Sequence, residues 1–220
     1  HAYQRMLRIN SAFKKIRGGE SITSAAFDSG YESLSGFNDS FKSIYSVSPS
    51  NSKTKQIINI IRIETPLGTM LAGAVDNGIC LLEFSDRKML ETELKALAKS
   101  YNADIIQGNH HHFDLLKSQL MEYFDGKRRE FTVPLSTPGT EFQKLVWETL
   151  QKIPYGSTLS YKQQSTTLRK PNAVRAVAHA NGMNRISIII PCHRVIGEDG
   201  NLTGYGGGIW RKKWLLDFEN

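Results

Sequence analysis

Cysteine is scarce: Cys80 and Cys192 are the only two in 220 residues. An isolated pair in a chain of this size argues against a disulfide framework and for a reducing compartment. No set of cysteines and histidines shows zinc spacing. His110, His111 and His112 form the one dense histidine cluster. Beside Gly108 and Asn109 it reads as a solvated loop or helix start rather than a metal site. Neither a metal nor a cofactor is therefore expected. No apolar run approaches the ~20 residues of a membrane helix, and no signal-peptide pattern opens the chain. These absences point to the cytoplasm and away from membranes. There is no internal repeat and no low-complexity tract. The chain opens on His1 instead of methionine, which reads as a fragment of something longer.

What is present is basic charge, unevenly spread. The formal net charge is +7, made of +4 over residues 1–55, −2 over 56–135 and +5 over 136–220. Two basic ends suit a polyanion partner, through phosphate neutralisation and counterion release. A merely solubilising surface would look the same from charge alone.

Periodicity divides the chain in the same places. Residues 2–17 carry Met6, Ile9, Phe13 and Ile16 at helical spacing, ended by Gly18 and Gly19. Ser21 is placed to cap a second helix with Ile22, Ala25, Ala26 and Ser29 on one face. A third carries Leu34, Phe37, Phe41 and Ile44 and stops before Pro49. Short helices joined at Gly30 read as a helix-turn-helix. Residues 47–56 lack bulk and periodicity and read as a linker with nothing to fold onto. The parts on either side should then behave as tethered modules. From Ile57 the texture is β-branched, and Asp76-Asn77-Gly78 between two apolar runs marks a hairpin. Residues 87–100 and 112–125 look helical, and Phe131 to Leu135 looks like a strand. A boundary is placed near Ser136. Beyond it, residues 140–152 form an amphipathic helix with Phe142, Leu145, Val146, Thr149 and Leu150 inward. Ser160 should cap the next helix, and Pro171 should start a third that Gly182 ends. Ile186 to Ile190 reads as an extended apolar run.

That run leads into Pro191-Cys192-His193-Arg194. Positive neighbours lower a cysteine pKa from its reference of ~8.5 and favour the reactive thiolate. In an extended strand neighbouring side chains point to opposite faces, so Cys192 and His193 should not pair directly unless the chain turns or water bridges them. Taken alone, Cys192 reads more readily as a buried core residue.

The neighbours reverse that reading. Pro191-Cys192-His193-Arg194-Val195, Gly156-Ser-Thr-Leu-Ser-Tyr161, Pro171-Asn-Ala-Val-Arg-Ala-Val177, Asn184, Gly204-Tyr205 and Trp214-Leu-Leu resemble the O6-alkylguanine-DNA alkyltransferases, in register over 139–220 and in general shape from 57. Residues 21–49, through Ser21-Ile22, Ala25-Ala26, Gly30-Tyr31, Phe37, Phe41-Lys42 and Pro49, resemble an AraC-type DNA-binding domain. The two together resemble Ada-type proteins. Residues 1–17 match the helix that joins the two AraC motifs, so one motif would be missing.

The resemblance implies an α+β fold. A helix-turn-helix half-domain (1–50) and a linker (51–56) would precede a ribonuclease H-like α/β subdomain (57–135). A mainly helical, winged-helix-like catalytic subdomain (136–220) would follow. It implies Cys192 as alkyl acceptor, His193 as its base through a water, and Glu219 as the acid orienting the histidine. Asn184 would tie the helix-turn-helix to the active-site turn, and Tyr161 would stand beside the base and its phosphate. Tyr205, Gly206, Gly207 and Val195 would bind the substrate base. Asn172, Ala173 and the finger residue Arg175 would enter the minor groove, on a small-residue face with Ala176 and Ala180. Ser35, Asn38 and Lys42 would read a major groove. The implied partner is double-stranded DNA with its alkylated guanine flipped out, along with promoter DNA and RNA polymerase, bound by a monomer. The implied act is one irreversible transfer per molecule from O6-alkylguanine, and from O4-alkylthymine, coupled to transcription. Gln164 and Ser165 stand where the family has Leu-Ala, and Arg169 stands for a turn glycine, which puts the packing of that motif in doubt. Two alternatives stay open: a transcription factor that only senses lesions, and a Cys–His hydrolase, which would want an oxyanion hole.

Overall fold

The computed structural model describes residues 2–45, 48–50 and 56–220, with the side chains of 2–7 and 43–45 outside the described set. Three helices come first: α1 (Ala2–Arg17), α2 (Ile22–Asp28) and α3 (Leu34–Tyr45). Ser21 caps α2 by accepting the Ser24 amide at 3.0 Å, satisfying one orphan donor of the helix start. Ile9, Phe13, Ile16, Ala25, Ala26, Phe37 and Phe41 close a core of their own. Met6 and Ile44, expected in it, lie outside the described side chains, and Leu34 is exposed.

That helical core is not self-contained. Ile106 is one of its buried members and Ile57 packs against it. Asn10 Nδ2 donates to the Gln107 carbonyl at 3.2 Å. The expectation of tethered modules with nothing between them is corrected accordingly. Three short helices bury too little apolar surface alone, and the neighbouring sheet supplies the rest. Of the linker, residues 51–55 lie outside the described residues.

The sheet has four strands, β1 (Gln56–Thr65), β2 (Gly68–Val75), β3 (Gly78–Phe84) and β4 (Ala103–Gln107), in the order β3-β2-β1-β4. The hairpin falls at Asp76-Asn77 as read. Gly78 has φ +142°, and a Cβ there would sit 2.5 Å from the Pro134 carbonyl oxygen. Helix α4 (Leu90–Tyr101) carries the chain across to β4, which runs parallel to β1. Helix α5 (His111–Phe124) follows.

Strand β3 lies at the edge of the sheet, yet all seven of its residues are buried. Two later segments cover that edge. The Ile79 amide donates to Pro134 at 2.8 Å, the Leu82 amide to Arg185 at 2.8 Å, and the Ser187 amide back to Leu82 at 2.8 Å. An unpaired edge is thereby removed and the two halves of the domain are joined. This corrects two readings. Phe131 to Leu135 is no strand, only a single bridge from Leu135 to Ile79. Ile186 bridges Leu82, but Ser187 to Ile189 then turn, with Ile188 at φ +72°. A β-branched run looks extended from composition, but here the hydrogen bonds that a strand would spend on a neighbour close a turn.

Past this seam come α6 (Glu141–Gln151), β5 (Leu159–Ser160), α7 (Tyr161–Thr167), α8 (Val174–Gly182), β6 (Val195–Ile196) and α9 (Ile209–Glu219). Capping boxes at Thr140/Gln143 and Ser160/Gln163 start α6 and α7, each satisfying two amides reciprocally. On α6 Leu145 is 47 % exposed, and Trp147 faces inward in its place, its indole N–H donating to the Ala180 carbonyl at 2.9 Å. Gln164 is buried and pairs with Asn181 on α8: Asn181 Nδ2 donates to Gln164 Oε1 at 2.7 Å, and Gln164 Nε2 donates to Thr149 Oγ1 at 2.9 Å. The polar departure from Leu-Ala is thus satisfied inside the motif. Arg169 adopts φ +55° at its turn. One continuous core runs from Ile63 through Phe84, Tyr123 and Trp147 to Leu215. Among the described residues no helix is long and apolar enough to cross a membrane.

Candidate active site

Cys192 opens a 3₁₀ turn, Cys192–Arg194, and is half-buried. Strand alternation therefore does not govern Cys192 and His193. The turn is fixed from behind by Asn184, just past the end of α8. Asn184 Nδ2 donates to the Ile190 carbonyl at 2.8 Å and lies 3.2 Å from Cys192 Sγ, while Asn184 Oδ1 accepts the Ile186 amide at 3.0 Å.

His193 is fully buried, with Nε2 at 3.0 Å from Glu219 Oε1 on α9. Its Nδ1 is buried and has no hydrogen-bond partner. Glu219 is anchored on several sides: Tyr123 OH donates to Oε1 at 2.7 Å, Arg194 Nε to Oε2 at 2.7 Å and Arg194 Nη2 to Oε1 at 3.0 Å. Burial pushes its carboxyl up, but the bonds from His193 and Arg194 outweigh that and hold it at about 2. Burial lowers the His193 imidazole pKa, against Glu219, so the ring is a neutral acceptor near pH 7.

The electrostatics of the thiol correct the sequence reading. Burial pushes Cys192 up, and the Asn184 bond pulls it back. The cations that favour its thiolate are Lys212 and Arg87, opposed by Glu83. Arg194 does not serve, since its guanidinium is turned away to Glu219 and to the Ile153 carbonyl at 2.7 Å. Lys212, on α9, is buried and donates to the Val195 and Thr203 carbonyls at 2.6 and 2.7 Å; burial brings its pKa down to about 8. The other cysteine, Cys80, is buried and pushed up to about 12.

A cleft of about 810 Å³ is lined among others by Tyr161, Arg175, Tyr205, Gly206, Gly207 and Trp210; Cys192 itself is not in its lining. Tyr161 begins α7 and donates its hydroxyl to the Thr203 carbonyl at 3.2 Å. Burial raises its pKa, and so does Cys192, which places the ring near the sulfur. Tyr205 is raised by burial and by Cys192 too. Glycine at 206 and 207 leaves room for the Arg87 guanidinium and the Phe84 ring, which a Cβ at either position would strike. Val195, expected at the substrate, is 0 % exposed in the core and does not line the cleft.

Of the small-residue face on α8, Ala176 is exposed and Ala173 half-buried, but Ala180 is in the core. The exposed side is Arg175, Ala176 and His179, with Asn172 exposed in the preceding turn. Ser35, Asn38 and Lys42 are exposed on α3. Sequence reasoning missed Glu83, Arg87, Tyr123 and Lys212. Only the charge of Glu83 within the otherwise apolar run of β3 could have drawn attention to it.

Residues 141–220 match the family described as 6-O-methylguanine DNA methyltransferase, DNA binding domain, and residues 61–137 match the ribonuclease-like domain of the same enzyme. Residues 1–55 match a helix-turn-helix domain. The chain is 44 % identical over 158 residues to a methylated-DNA–protein-cysteine methyltransferase of Methanosarcina barkeri, covering 71 % of this chain and 94 % of the relative. It is 42 % identical over 135 residues to the inducible enzyme of that name from Bacillus subtilis, covering 61 % and 75 %. Its structure resembles the O6-methylguanine methyltransferase of Mycobacterium tuberculosis, with TM-score 0.63, 38 % identity and coverage of 74 % of this chain and 92 % of that one. The mycobacterial protein is also known in complex with DNA, at TM-score 0.62 and the same identity and coverage.

Proposed function

This chain belongs to the family of methylated-DNA–protein-cysteine methyltransferases, and from that premise we propose that Cys192 is the residue that takes the alkyl group. The activity is DNA repair: an alkyl group passes from O6 of guanine in DNA to a cysteine of the protein, once per molecule. The observation that carries the assignment of Cys192 is its contact with Asn184, in a turn whose next residue is the buried, Glu219-paired His193, with Tyr161 and Tyr205 of the cleft lining acting electrostatically on its sulfur.

His193 Nε2 donates to Glu219, so Nδ1 is the accepting nitrogen. It takes the thiol proton through a bridging water. The sulfur then attacks the alkyl carbon in line as the carbon–O6 bond breaks and its electron pair stays on guanine. Guanine is protonated as it leaves, with the Tyr161 hydroxyl as donor, and solvent resupplies that proton. Glu219 stabilises the imidazolium, which is the orienting role in an activated nucleophile. The thioether is stable, so the protein is consumed. The lesion must leave the duplex stack; Arg175, Ala173 and Asn172 hold the groove, and Tyr205, Gly206 and Gly207 hold the base.

We assign the helix-turn-helix of residues 1–50 to transcriptional control coupled to this repair, with promoter DNA read through Ser35, Asn38 and Lys42 and RNA polymerase as a further partner. O4-alkylthymine is a second substrate. The protein acts as a monomer with the nucleoid in the cytoplasm, where its substrate is. The domains divide at 50, 56 and 135.

Intact-mass measurement after incubation with an O6-methylguanine duplex tests this reading. One added methyl, located on the peptide containing Cys192, is expected. No mass change would leave a lesion sensor, and continuing product release would indicate a hydrolase.

A further inference from the structure

Strand β3 ends in a buried carboxylate. Glu83 is fully buried, accepts the Phe84 amide at 3.0 Å, and has Ser187 Oγ at 3.0 Å from both its oxygens. Its counter-charge is Arg87, whose Nη1 pairs with Glu83 Oε2. The same guanidinium reaches across the seam. Arg87 Nη2 donates to the Gly182 carbonyl at 2.9 Å, at the last residue of α8, and Nη1 lies 3.4 Å from the Asn184 carbonyl. Nη2 also pairs with Glu93 on α4 at 2.8 Å. Arg87 backs Gly206 in the base-pocket loop and lines the cleft itself. One planar fork thus touches the end of the DNA-facing helix, the residue that holds the sulfur, and the loop that lines the pocket. Such multidentate geometry is what a guanidinium supplies and an ammonium does not.

We propose that Arg87, set by the buried Glu83, is a positioning residue for alkyl transfer, holding Asn184, the end of α8 and the pocket loop in one register and cancelling the Glu83 charge beside the sulfur. This rests on Cys192 being the acceptor. Arg87 does not act on substrate directly; it acts through Asn184. A buried charge pair is weak as a source of stability, because desolvation offsets the attraction, but losing one partner leaves an uncompensated charge. Here the group left alone would be Glu83, whose carboxyl burial already pushes up and Arg87 foremost holds down; without Arg87 it takes a proton, and what the Cys192 thiolate loses is the Arg87 cation that favours it. The other groups near that sulfur are Lys212 on α9, Tyr161 on α7 and Tyr205 in the loop, with His193 next to it in the turn, while the Arg194 guanidinium is turned away to Glu219.

Iodoacetamide provides a test independent of DNA repair, since it alkylates the thiolate of Cys192 without a flipped DNA base. The buried Cys80, with its pKa at about 12, stays silent. In the full chain, Arg87→Met should move the pH midpoint of Cys192 alkylation up by about one unit, the size of effect that losing a neighbouring opposite charge has. Glu83→Gln with Arg87 kept should move the midpoint down, because the group that opposes the thiolate is gone and the cation that favours it remains. Arg87→Lys keeps the charge but not the fork. It should leave the midpoint near wild type and slow transfer from an O6-methylguanine duplex about tenfold, the loss of roughly one good charge-assisted hydrogen bond. A lower melting temperature with no shift of midpoint in Arg87→Met would overturn the proposal in favour of a purely structural pair. So would an unmoved midpoint in Glu83→Gln, or wild-type transfer by Arg87→Lys. If Arg87→Met does not fold, Glu83→Gln and Arg87→Lys still decide. Failure of the acceptor assignment would look different: Cys192→Ala would still remove the lesion from DNA.

Discussion

Asn184 stands 3.2 Å from Cys192 Sγ with the same amide nitrogen that holds the Ile190 carbonyl at 2.8 Å. A single side chain therefore both shapes the turn that carries Cys192 and touches the sulfur proposed as the alkyl acceptor. Asn184→Ala removes a donor to a group that becomes charged, a loss of roughly 1.5–3 kcal/mol and so about ten- to hundred-fold in rate. It should also raise the pH midpoint of Cys192 alkylation, since the lost bond is one that lowers the thiol pKa. Single-turnover kinetics across pH check both. A slower rate with an unmoved midpoint would leave Asn184 with the turn alone.

His193 and Glu219 should behave as one unit. The carboxylate acts only through the ring that it holds at 3.0 Å, so removing either should cost nearly what removing both costs. A double-mutant cycle on His193→Ala and Glu219→Gln, read as transfer rate, is expected to be strongly non-additive. Additive losses would remove the relay.

The depressed carboxyl of Glu219 has a consequence for folding. Its pKa is about 2 in the folded chain, against ~4.3 for an unperturbed glutamate in an unfolded one. A carboxyl lowered on folding contributes stability that is fully present above the unfolded value and is lost as pH falls through the folded value. A shift of this size corresponds to about 3 kcal/mol, as an order of magnitude. Stability against urea should therefore fall from pH 5 to pH 2 in the wild type. Glu219→Gln should be less stable at pH 7 and show a flatter acid limb. An unchanged acid limb in the variant would show that other carboxyls carry the dependence.

Arg175 lies exposed on α8 at the rim of the cleft. Arg175→Ala should slow repair in a duplex far more than reaction with free O6-benzylguanine, because flipping costs a few kcal/mol of stacking only in the duplex. Equal slowing of both substrates would place Arg175 in the pocket or the fold.

Much of this was legible in residue order, and what was not has a common cause. Helix caps such as Ser21 and Ser160 depend on local chemistry, and the Asp76-Asn77-Gly78 turn does too, so they could be read directly. The run Ile186 to Ile190 could not, because its backbone partners, Leu82 above all, lie a hundred residues away. A shorter separation, from Gln56 to Ala103, still hid β4, five residues long and defined by pairing with β1. At the site, the PCHRV motif pointed to Cys192 and His193, but the charges around the sulfur come from β3, the loop after it and α9. Adjacency made Arg194 look like the activating cation, and its side chain goes elsewhere. Ala180 looked like part of a groove-facing stripe, and a Trp147 indole claims it.

The helical unit at the N-terminus should do two separable things, and the structure alters which losses to expect on removing it. Its core takes in Ile106 of β4, with Ile57 packed beside it, so a chain beginning at Gln56 leaves apolar sheet surface in water. Burial of apolar area is worth roughly 25 cal/mol per Å², and a lower melting temperature is the expected outcome. Ile106→Ala in the full chain should reproduce part of it, since a buried truncation of this kind typically costs about 2–5 kcal/mol. The second effect is electrostatic. Residues 1–55 carry +4, and each phosphate contact they make adds about 0.9 to the log–log salt slope of duplex binding. The shortened chain should bind DNA with a shallower slope, while Ile106→Ala keeps the wild-type slope because it removes no charge. Every residue of the proposed relay lies after Ser136, so the shortened chain should still react with free O6-benzylguanine at a similar rate below its lowered melting temperature. An unchanged melting temperature in both variants would mean that the helices do not rest on the sheet in solution. An unchanged salt slope in the shortened chain would mean that they rest there as a structural extension and do not touch DNA.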